Sequence, residues 1–399
     1  MHLFKHAFTA LLLTTAGYIA CTATLAAETT SAPAWQRVHL AGYDFPVYAN
    51  HDLVADGSKD GNKDSSKIRE VIFIQHGIQR NGDEYYTAAM NLLKASGRSG
   101  QDVLIIAPNF PGTPDADKGF IGMPVWTVQG WTGGDVAQAA AGVPADLSSL
   151  RVLDDLALMV ADKKRFPLVS KINFVGHSGG AQLIHRYAVL NHVDDRLRSQ
   201  GLDVQYVVAN PSSYLYFTSD RPSAKGFAPY DTTVCANYDD YRYGMQHMVA
   251  YANKMSGDEL YRRYQKRQVT YLAGTSDNDP NHRVLDKSCG AEAEGPNRLE
   301  RARGYWHYEA LLDTQLAAQV AGKVQARAES KTTAAANANP ALALPVGIPP
   351  LMSMHQYLEV NGVGHDQERM FGSQCGMQAV FGVAVSDVGK GATCKVVNP

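Results

Sequence analysis

The chain has 399 residues, 45% of them hydrophobic and 19% charged, with 37 Lys plus Arg against 39 Asp plus Glu. This composition excludes a disordered or fibrous chain, and a formal charge of −2 without a sustained basic run argues against nucleic acid as the main partner. Five cysteines are too few for a disulfide scaffold, and none forms the C-x-x-C pair of structural zinc or thioredoxin chemistry.

In chain order, residues 1–26 place Lys5 ahead of an apolar stretch, Ala7 to Ala20, and close with small residues at Thr24 and Ala26. This is the pattern of a secretory signal peptide cleaved after Ala26. The stretch is shorter than the roughly 20 apolar residues of a membrane anchor, and no later segment is apolar for longer. A secreted or periplasmic protein without stable membrane insertion is expected. Lipoprotein anchoring at Cys21 is the alternative, against which Tyr18 stands three residues earlier, where such signals usually carry Leu. Removal of the leader leaves Cys235, Cys289, Cys375 and Cys394. An even number in an exported chain suggests two disulfides. Three pairings are possible, of which Cys235 with Cys289 and Cys375 with Cys394 is the sequence-local one; four buried free thiols are the bland alternative.

Short runs rich in β-branched residues then alternate with helical patterns, the signature of a mostly parallel central sheet flanked by helices. Strands are predicted at Val71 to Gln75, Val103 to Ala107, Ile172 to Val175, Val204 to Ala209, Val269 to Leu272 and His355 to Val360, each apolar enough to be buried on both faces. Helices are predicted at Glu84 to Ala95, Leu147 to Lys164 and Gly179 to Asn191. Val38 to Tyr48 reads as an antiparallel edge, followed by a polar loop at Asp56 to Lys67. One α/β domain over 27–399 is expected, with two insertions. Residues 212–268 carry a run of tyrosines between two central strands and are too long for a simple turn, so they should form a cap or lid. Most of those rings should pack the cap onto the body, and a minority should line the cleft. Residues 325–350, rich in Ala, Asn and Pro, should be a surface loop without chemistry.

The chemistry-bearing residues follow the strands. Gly176-His177-Ser178-Gly179-Gly180 stands between a strand and a helix and fits G-x-S-x-G, in which glycines let strand and helix meet around an exposed serine. With 35 glycines in the chain the pattern alone is weak, and its strand-turn-helix setting is what raises it. A serine hydroxyl needs a base, and the base needs a third group to orient it. Asp277 follows the strand ending at Leu272, and His365 follows the strand ending at Val360. The order Ser178, Asp277, His365 makes a nucleophile, acid and base set. Asp277 is preferred to Asp279, which precedes Pro280 and can cap the next turn. His177 reads as a packing or orienting residue, and His247, His282, His307 and His355 as surface or satisfied core positions. Backbone N–H groups of Ile78, in the turn His76-Gly77-Ile78, and of Gly179 are the candidate oxyanion donors; Arg80 and Asn81 either shape the mouth of the site or are solvated.

Through HG at 76–77, GHSGG at 176–180, GTSD at 274–277 and GVGHD at 362–366, the chain from about Arg69 to Met370 resembles secreted esterase- and lipase-like members of the α/β-hydrolase superfamily. The resemblance implies the α/β-hydrolase fold, an acyl-enzyme on Ser178, a small-molecule or polymeric ester substrate, and no metal or organic cofactor. The HG turn lacks the further glycines of the HGGG esterases, and the cap matches no subfamily of known substrate. A peptidase or amidase with the same triad, and a non-catalytic binding module on the same fold, are the competing readings.

Overall fold

Six strands of nearly continuous apolar sequence lie parallel in the middle of one nine-stranded sheet. The computed structural model describes residues 33–54, 65–115, 117–252, 254–335, 353–383 and 391–398. The expected leader, Cys21 within it, and most of the polar loop 56–67 fall outside the described residues. The parallel strands are β3 (Glu70–Gln75), β4 (Val103–Pro108), β5 (Lys171–His177), β6 (Asp203–Ala209), β9 (Gln268–Gly274) and β10 (His355–Val360). An antiparallel pair, β1 (Gln36–His39) and β2 (Asp44–Ala49), extends one edge, and β11 (Cys394–Val396) the other, in the order β1-β2-β4-β3-β5-β6-β9-β10-β11. The remaining strands, β7 (Asp220–Ser223) and β8 (Gly226–Pro229), form a separate hairpin.

Successive strand residues point to opposite faces, and two cores result. Val71, Phe73, Ile172, Phe174, Val204 and Tyr206 enter the larger one, with α2 (Ser149–Val160) and α3 (Gly179–Leu190). Ile72, Ile74, Val175 and Val207 enter the other, with α1 (Gly82–Ala95), α8 (Gln367–Phe371) and α9 (Gln374–Phe381). This two-sided burial is why the strands read as unbroken apolar runs. Across the larger core, Phe73, Phe174 and Tyr206 are register partners on β3, β5 and β6. Their rings stack at 5.0 Å and 5.5 Å, each contact worth about 0.5–1.5 kcal/mol beyond simple burial.

Helix α2 starts two residues later than predicted because Ser148 caps it, accepting the Leu150 N–H at 3.2 Å. Not anticipated from the sequence are α4 (Val193–Ser199), the short α6 (Cys289–Glu292) and α7 (Arg298–Ala335), the longest helix. Residues 325–335, expected to begin the Ala-rich loop, continue α7. Their Ala, Gln, Glu, Arg and Lys content favours helix, and the Asn- and Pro-rich remainder, 336–350, lies outside the described residues. The tyrosine-rich insertion contains the β7–β8 hairpin and α5 (Gly257–Tyr264), which a Ser256–Glu259 capping box opens. Its rings pack against the body: Tyr214 stacks on Tyr305 of α7 at 4.4 Å, Tyr216 lies 4.5 Å from Tyr308, and Tyr264 lies 5.9 Å from His185 of α3.

Two disulfides close, Cys235–Cys289 and Cys375–Cys394, the sequence-local pairing. The first ties the insertion to α6. The second ties α9 to β11, whose Cys394 is the register partner of Val360. Among the described residues no helix is long and apolar enough to cross a membrane.

Two stability measurements follow. Phe174→Ala, which opens the ring stack, should cost about 3–5 kcal/mol, read as a lower urea midpoint at unchanged slope. Replacing Cys375 and Cys394 together by Ser should cost about 3 kcal/mol, the chain-entropy value for a loop of that length; a midpoint equal to wild type would show that β11 is held without its staple.

Candidate active site

Four parallel strands end at one edge of the sheet, and the turns after β3, β5, β9 and β10 meet there. β5 passes into α3 through Gly176-His177-Ser178-Gly179-Gly180, with Ser178 at φ 59°, ψ −122°. A side-chain-bearing residue in such a conformation costs about 1–3 kcal/mol and persists only where its surroundings hold it. Here Ser178 N–H donates to Ala209 O of β6 at 3.0 Å. A Cβ at Gly176 would lie 2.4 Å from Gly180 O, and one at Gly180 would lie 2.4 Å from Gln75 O, so the turn admits no other residue at either position.

The loops after β9 and β10 are knitted together. Ser276 N–H donates to Val363 O at 2.9 Å, Gly362 N–H donates to Thr275 Oγ1 at 2.9 Å, and a Cβ at Gly274 would lie 2.3 Å from Val363 O. Asn210, just past β6 at φ 47°, braces both: its Oδ1 accepts Gly274 N–H at 2.9 Å and its Nδ2 donates to Gly364 O at 3.2 Å. This framework puts His365 Nε2 2.8 Å from Ser178 Oγ and His365 Nδ1 2.7 Å from Asp277 Oδ2. A carboxylate can only accept, so Nδ1 carries the proton and Nε2 of the neutral ring accepts the serine hydroxyl. Asp279 is elsewhere engaged, its carboxylate accepting Asn281 N–H at 2.8 Å.

Beside Ser178 lies the turn after β3. A Cβ at Gly179 would be 3.0 Å from Ile78 N, so these two backbone amides are neighbours. Gly179 is the first residue of α3, and its N–H has no acceptor within the helix. The turn is held from below by His76, whose Nδ1 donates to Gly77 O at 2.8 Å and whose Nε2 accepts Phe110 N–H at 3.0 Å. Accepting at Nε2 requires a neutral ring, and burial pulls His76 down to about 4. From the side it is held by Arg80, at φ 59°, which donates to Ile78 O at 3.0 Å and pairs with buried Asp115 at 2.5 Å. Arg80 is thus a brace rather than a solvated side chain, while Asn81 donates to the Glu84 carboxylate.

No protein-family model matches the chain, and no curated protein matches it in sequence. Solved structures do. LpqC, a poly(3-hydroxybutyrate) depolymerase from Bordetella parapertussis, superposes at a TM-score of 0.51 and 19% identity, over 89% of this chain and 95% of that one. Poly(aspartic acid) hydrolase-1 from Sphingomonas sp. KT-1 superposes at 0.50 and 18% identity, over 88% and 99%. The fold is the α/β-hydrolase fold.

On this α/β-hydrolase sheet Ser178 and Asp277 are buried and His365 is partly buried, and loss of water contact dominates the electrostatics of the ring. It pulls His365 below the usual imidazole range, an effect that the Asp277 hydrogen bond opposes and the nearby Arg298 charge reinforces. Burial alone would push Asp277 up, but the bond from His365 and the charges of His365 and Arg298 outweigh it and hold the carboxyl below its ordinary value. His177 is fully buried and held neutral, its ring 4.6 Å from that of His365 and its Nδ1 3.1 Å from the Tyr85 hydroxyl.

Three neighbours escape a reading of the sequence. His282, placed there among the surface or core histidines, lies with its ring 5.0 Å from His365. Arg298 reaches Asp277 from 21 residues away, and Asn210 reaches Gly364 in the loop after β10 from 154. Only the position of Asn210 at a strand end, where chemistry gathers in this architecture, could have marked it. His355, by contrast, is a core residue between Glu309, 2.9 Å from its Nδ1, and Tyr264 O, 3.0 Å from its Nε2. Among the described residues no group of three or more His, Cys, Asp or Glu is placed to hold a metal ion.

Because burial depresses His365, its imidazole should titrate with a midpoint below the ordinary value of about 6.5. Following its ring protons by NMR against pH in the intact protein measures this directly; a midpoint above 6.5 would mean that Asp277 attraction, not burial, dominates.

Proposed function

We propose that this chain is an exported serine hydrolase of carboxylic esters, in which Ser178 is the nucleophile, His365 the general base, Asp277 its orienting acid, and the Ile78 and Gly179 N–H groups the oxyanion donors. The observation that carries the reading is the pair of hydrogen bonds on one imidazole, 2.8 Å to Ser178 Oγ and 2.7 Å to Asp277 Oδ2.

In this reading His365 Nε2 takes the hydroxyl proton as Ser178 Oγ attacks the substrate carbonyl carbon. The imidazolium that forms is stabilised by Asp277. The negative charge on the carbonyl oxygen falls between two backbone donors and the N-terminus of α3, and such preorganised donors are each worth about 10²- to 10³-fold in turnover. His365 then gives its proton to the departing alcohol, leaving an acyl-serine. Water, deprotonated by the same ring, attacks the acyl carbon and releases the acid and free Ser178. The neutral ring is the competent one, so the depressed titration of His365 carries activity to lower pH than an unperturbed histidine would.

Ester chemistry fits the structural neighbour that depolymerises poly(3-hydroxybutyrate), a polymer joined by ester bonds. The neighbour that hydrolyses poly(aspartic acid) keeps an amide substrate as the competing outcome. Two disulfides fit folding in an oxidising compartment, as does the leader pattern of residues 1–26.

A fluorophosphonate probe should label the folded protein once, at Ser178. Ser178→Ala should abolish labelling and lower kcat on short p-nitrophenyl esters by on the order of 10⁴-fold or more. Hydrolysis of the esters without cleavage of matched anilides is the expected result. Preferential anilide cleavage would make the protein an amidase, and an unlabelled, inactive wild type would make it a binding module.

A further inference from the structure

The triad acid is gripped from behind by the first turn of α7. Asn297 opens this helix, its Oδ1 accepting Glu300 N–H at 3.0 Å. Leu299 N–H, a donor that the first turn of a helix leaves without an internal acceptor, donates to Asp277 O at 3.2 Å. Between them Arg298, 2% exposed, spends its whole guanidinium at the site. Nη1 pairs with Asp277 Oδ1 at 3.2 Å and lies 3.3 Å from His282 Nδ1, Nε donates to Ser212 Oγ at 2.9 Å, and Nη2 donates to Val284 O at 2.8 Å. Asp277 therefore divides its two oxygens, Oδ1 to Arg298 and Oδ2 to His365.

We propose that Arg298 is a positioning residue for the reaction of Ser178: it fixes the rotation of the Asp277 carboxylate so that Oδ2 faces His365, and its buried positive charge opposes the imidazolium that forms there. The inference rests on the reading of Ser178, His365 and Asp277 as nucleophile, base and acid. Three physical points support it. A guanidinium is always charged and presents its donors in a fixed fork, so Ser212 and Val284 hold the group rigidly while one arm remains for the carboxylate. A buried carboxylate bound by a single imidazole would retain an unsatisfied oxygen, which Arg298 supplies with a partner. A third, the charge balance, sets the sign of the effect. His365 faces Asp277 and Arg298, with the rings of His282 and His177 beside it. Arg298 in turn feels Asp277, Asp286 and Arg301, and His282 feels Asp279 and Arg283. Removing the Arg298 charge leaves Asp277 as the nearest full charge on His365 and so favours the imidazolium.

The test is the pH dependence of kcat/KM on a p-nitrophenyl ester, together with the NMR titration of His365, in wild type, Arg298→Gln and Arg298→Lys. In Arg298→Gln the acid limb and the His365 midpoint should both move up by about one unit. Its kcat at the pH optimum should fall by about 10²-fold, with KM close to wild type. Arg298→Lys, which keeps the charge and loses the fork, should hold both midpoints at the wild-type position while kcat still falls. A merely structural Arg298 would change thermal stability and leave the midpoints unmoved. Unmoved midpoints in Arg298→Gln, or equal movement in both variants, overturns the inference. Should Arg298→Gln not fold, Arg298→Lys decides it, since undiminished kcat or a displaced midpoint there overturns it. If wild type neither hydrolyses the ester nor reacts with fluorophosphonate, the functional reading fails, and the NMR comparison still tests the charge on His365 by itself.

Discussion

A 2.8 Å hydrogen bond between Ser178 Oγ and His365 Nε2 joins side chains 187 residues apart, and most of the molecule can be understood as the means of holding it. Hydrogen bonds of this kind tolerate a few tenths of an ångström, so both ends must sit on rigid elements. The parallel sheet supplies them. β3, β5, β9 and β10 deliver their following turns to one edge, and register fixes the distance between neighbours: Gly176 pairs with Gln75 and Val208, and Val360 with Gly274. Loops carried on such strands inherit the stiffness of a core that is packed from both faces.

The arrangement is held at a cost, and the cost is distributed. Ser178 occupies a conformation that residues with side chains avoid, and Asn210, at the next strand end, has a positive φ as well. Both are over-determined: Ser178 by the β6 carbonyl and the closely packed glycines, Asn210 by bonds to the loops after β9 and β10. Local strain of this kind is tolerated because unfolding either turn would also uncover the apolar faces of β5 and β6. Below the turn after β3, the neutral His76 and the Arg80–Asp115 pair do the same for a segment with no regular structure of its own.

Charge follows the same logic. Arg186, Arg221, Arg267, Arg298 and Arg301 are all nearly inaccessible, and a guanidinium cannot escape burial by losing its proton. Each donates to backbone carbonyls, carboxylates or hydroxyls, with one nitrogen left over on Arg221, Arg267 and Arg301, and Arg186 and Arg301 tie the tyrosine-rich insertion to α3 and to α7. Arg186 reaches Ser213 and the carbonyls of Thr132 and Arg242, and Arg301 reaches the carbonyls of Ser212, Asp286 and Gly295. Arg298 differs in that one of its partners is Asp277, whose other carboxylate oxygen faces His365.

Features that depend on local chemistry were legible along the chain. Apolar runs of strand length marked the six parallel strands, G-x-S-x-G between a strand and a helix marked Ser178, and residues following later strands marked Asp277 and His365 in order. The pairing of four cysteines, the choice between Asp277 and Asp279, and the partners His282, Asn210 and Arg298 were decided only by the tertiary structure. Nothing near Arg298 in the chain distinguishes it from the neighbouring Arg301 or Arg303. Its contact with Asp277 comes from the placement of α7, whose Tyr305 and Tyr308 pack against Tyr214 and Tyr216 of the insertion. Likewise the helical continuation over 325–335 and the start of α2 at the Ser148 cap are set by propensity and capping over a few residues, which a composition read over a longer window averages away. Local pattern specifies which residues can do chemistry at strand ends, and packing across the two faces of the sheet selects which of them meet.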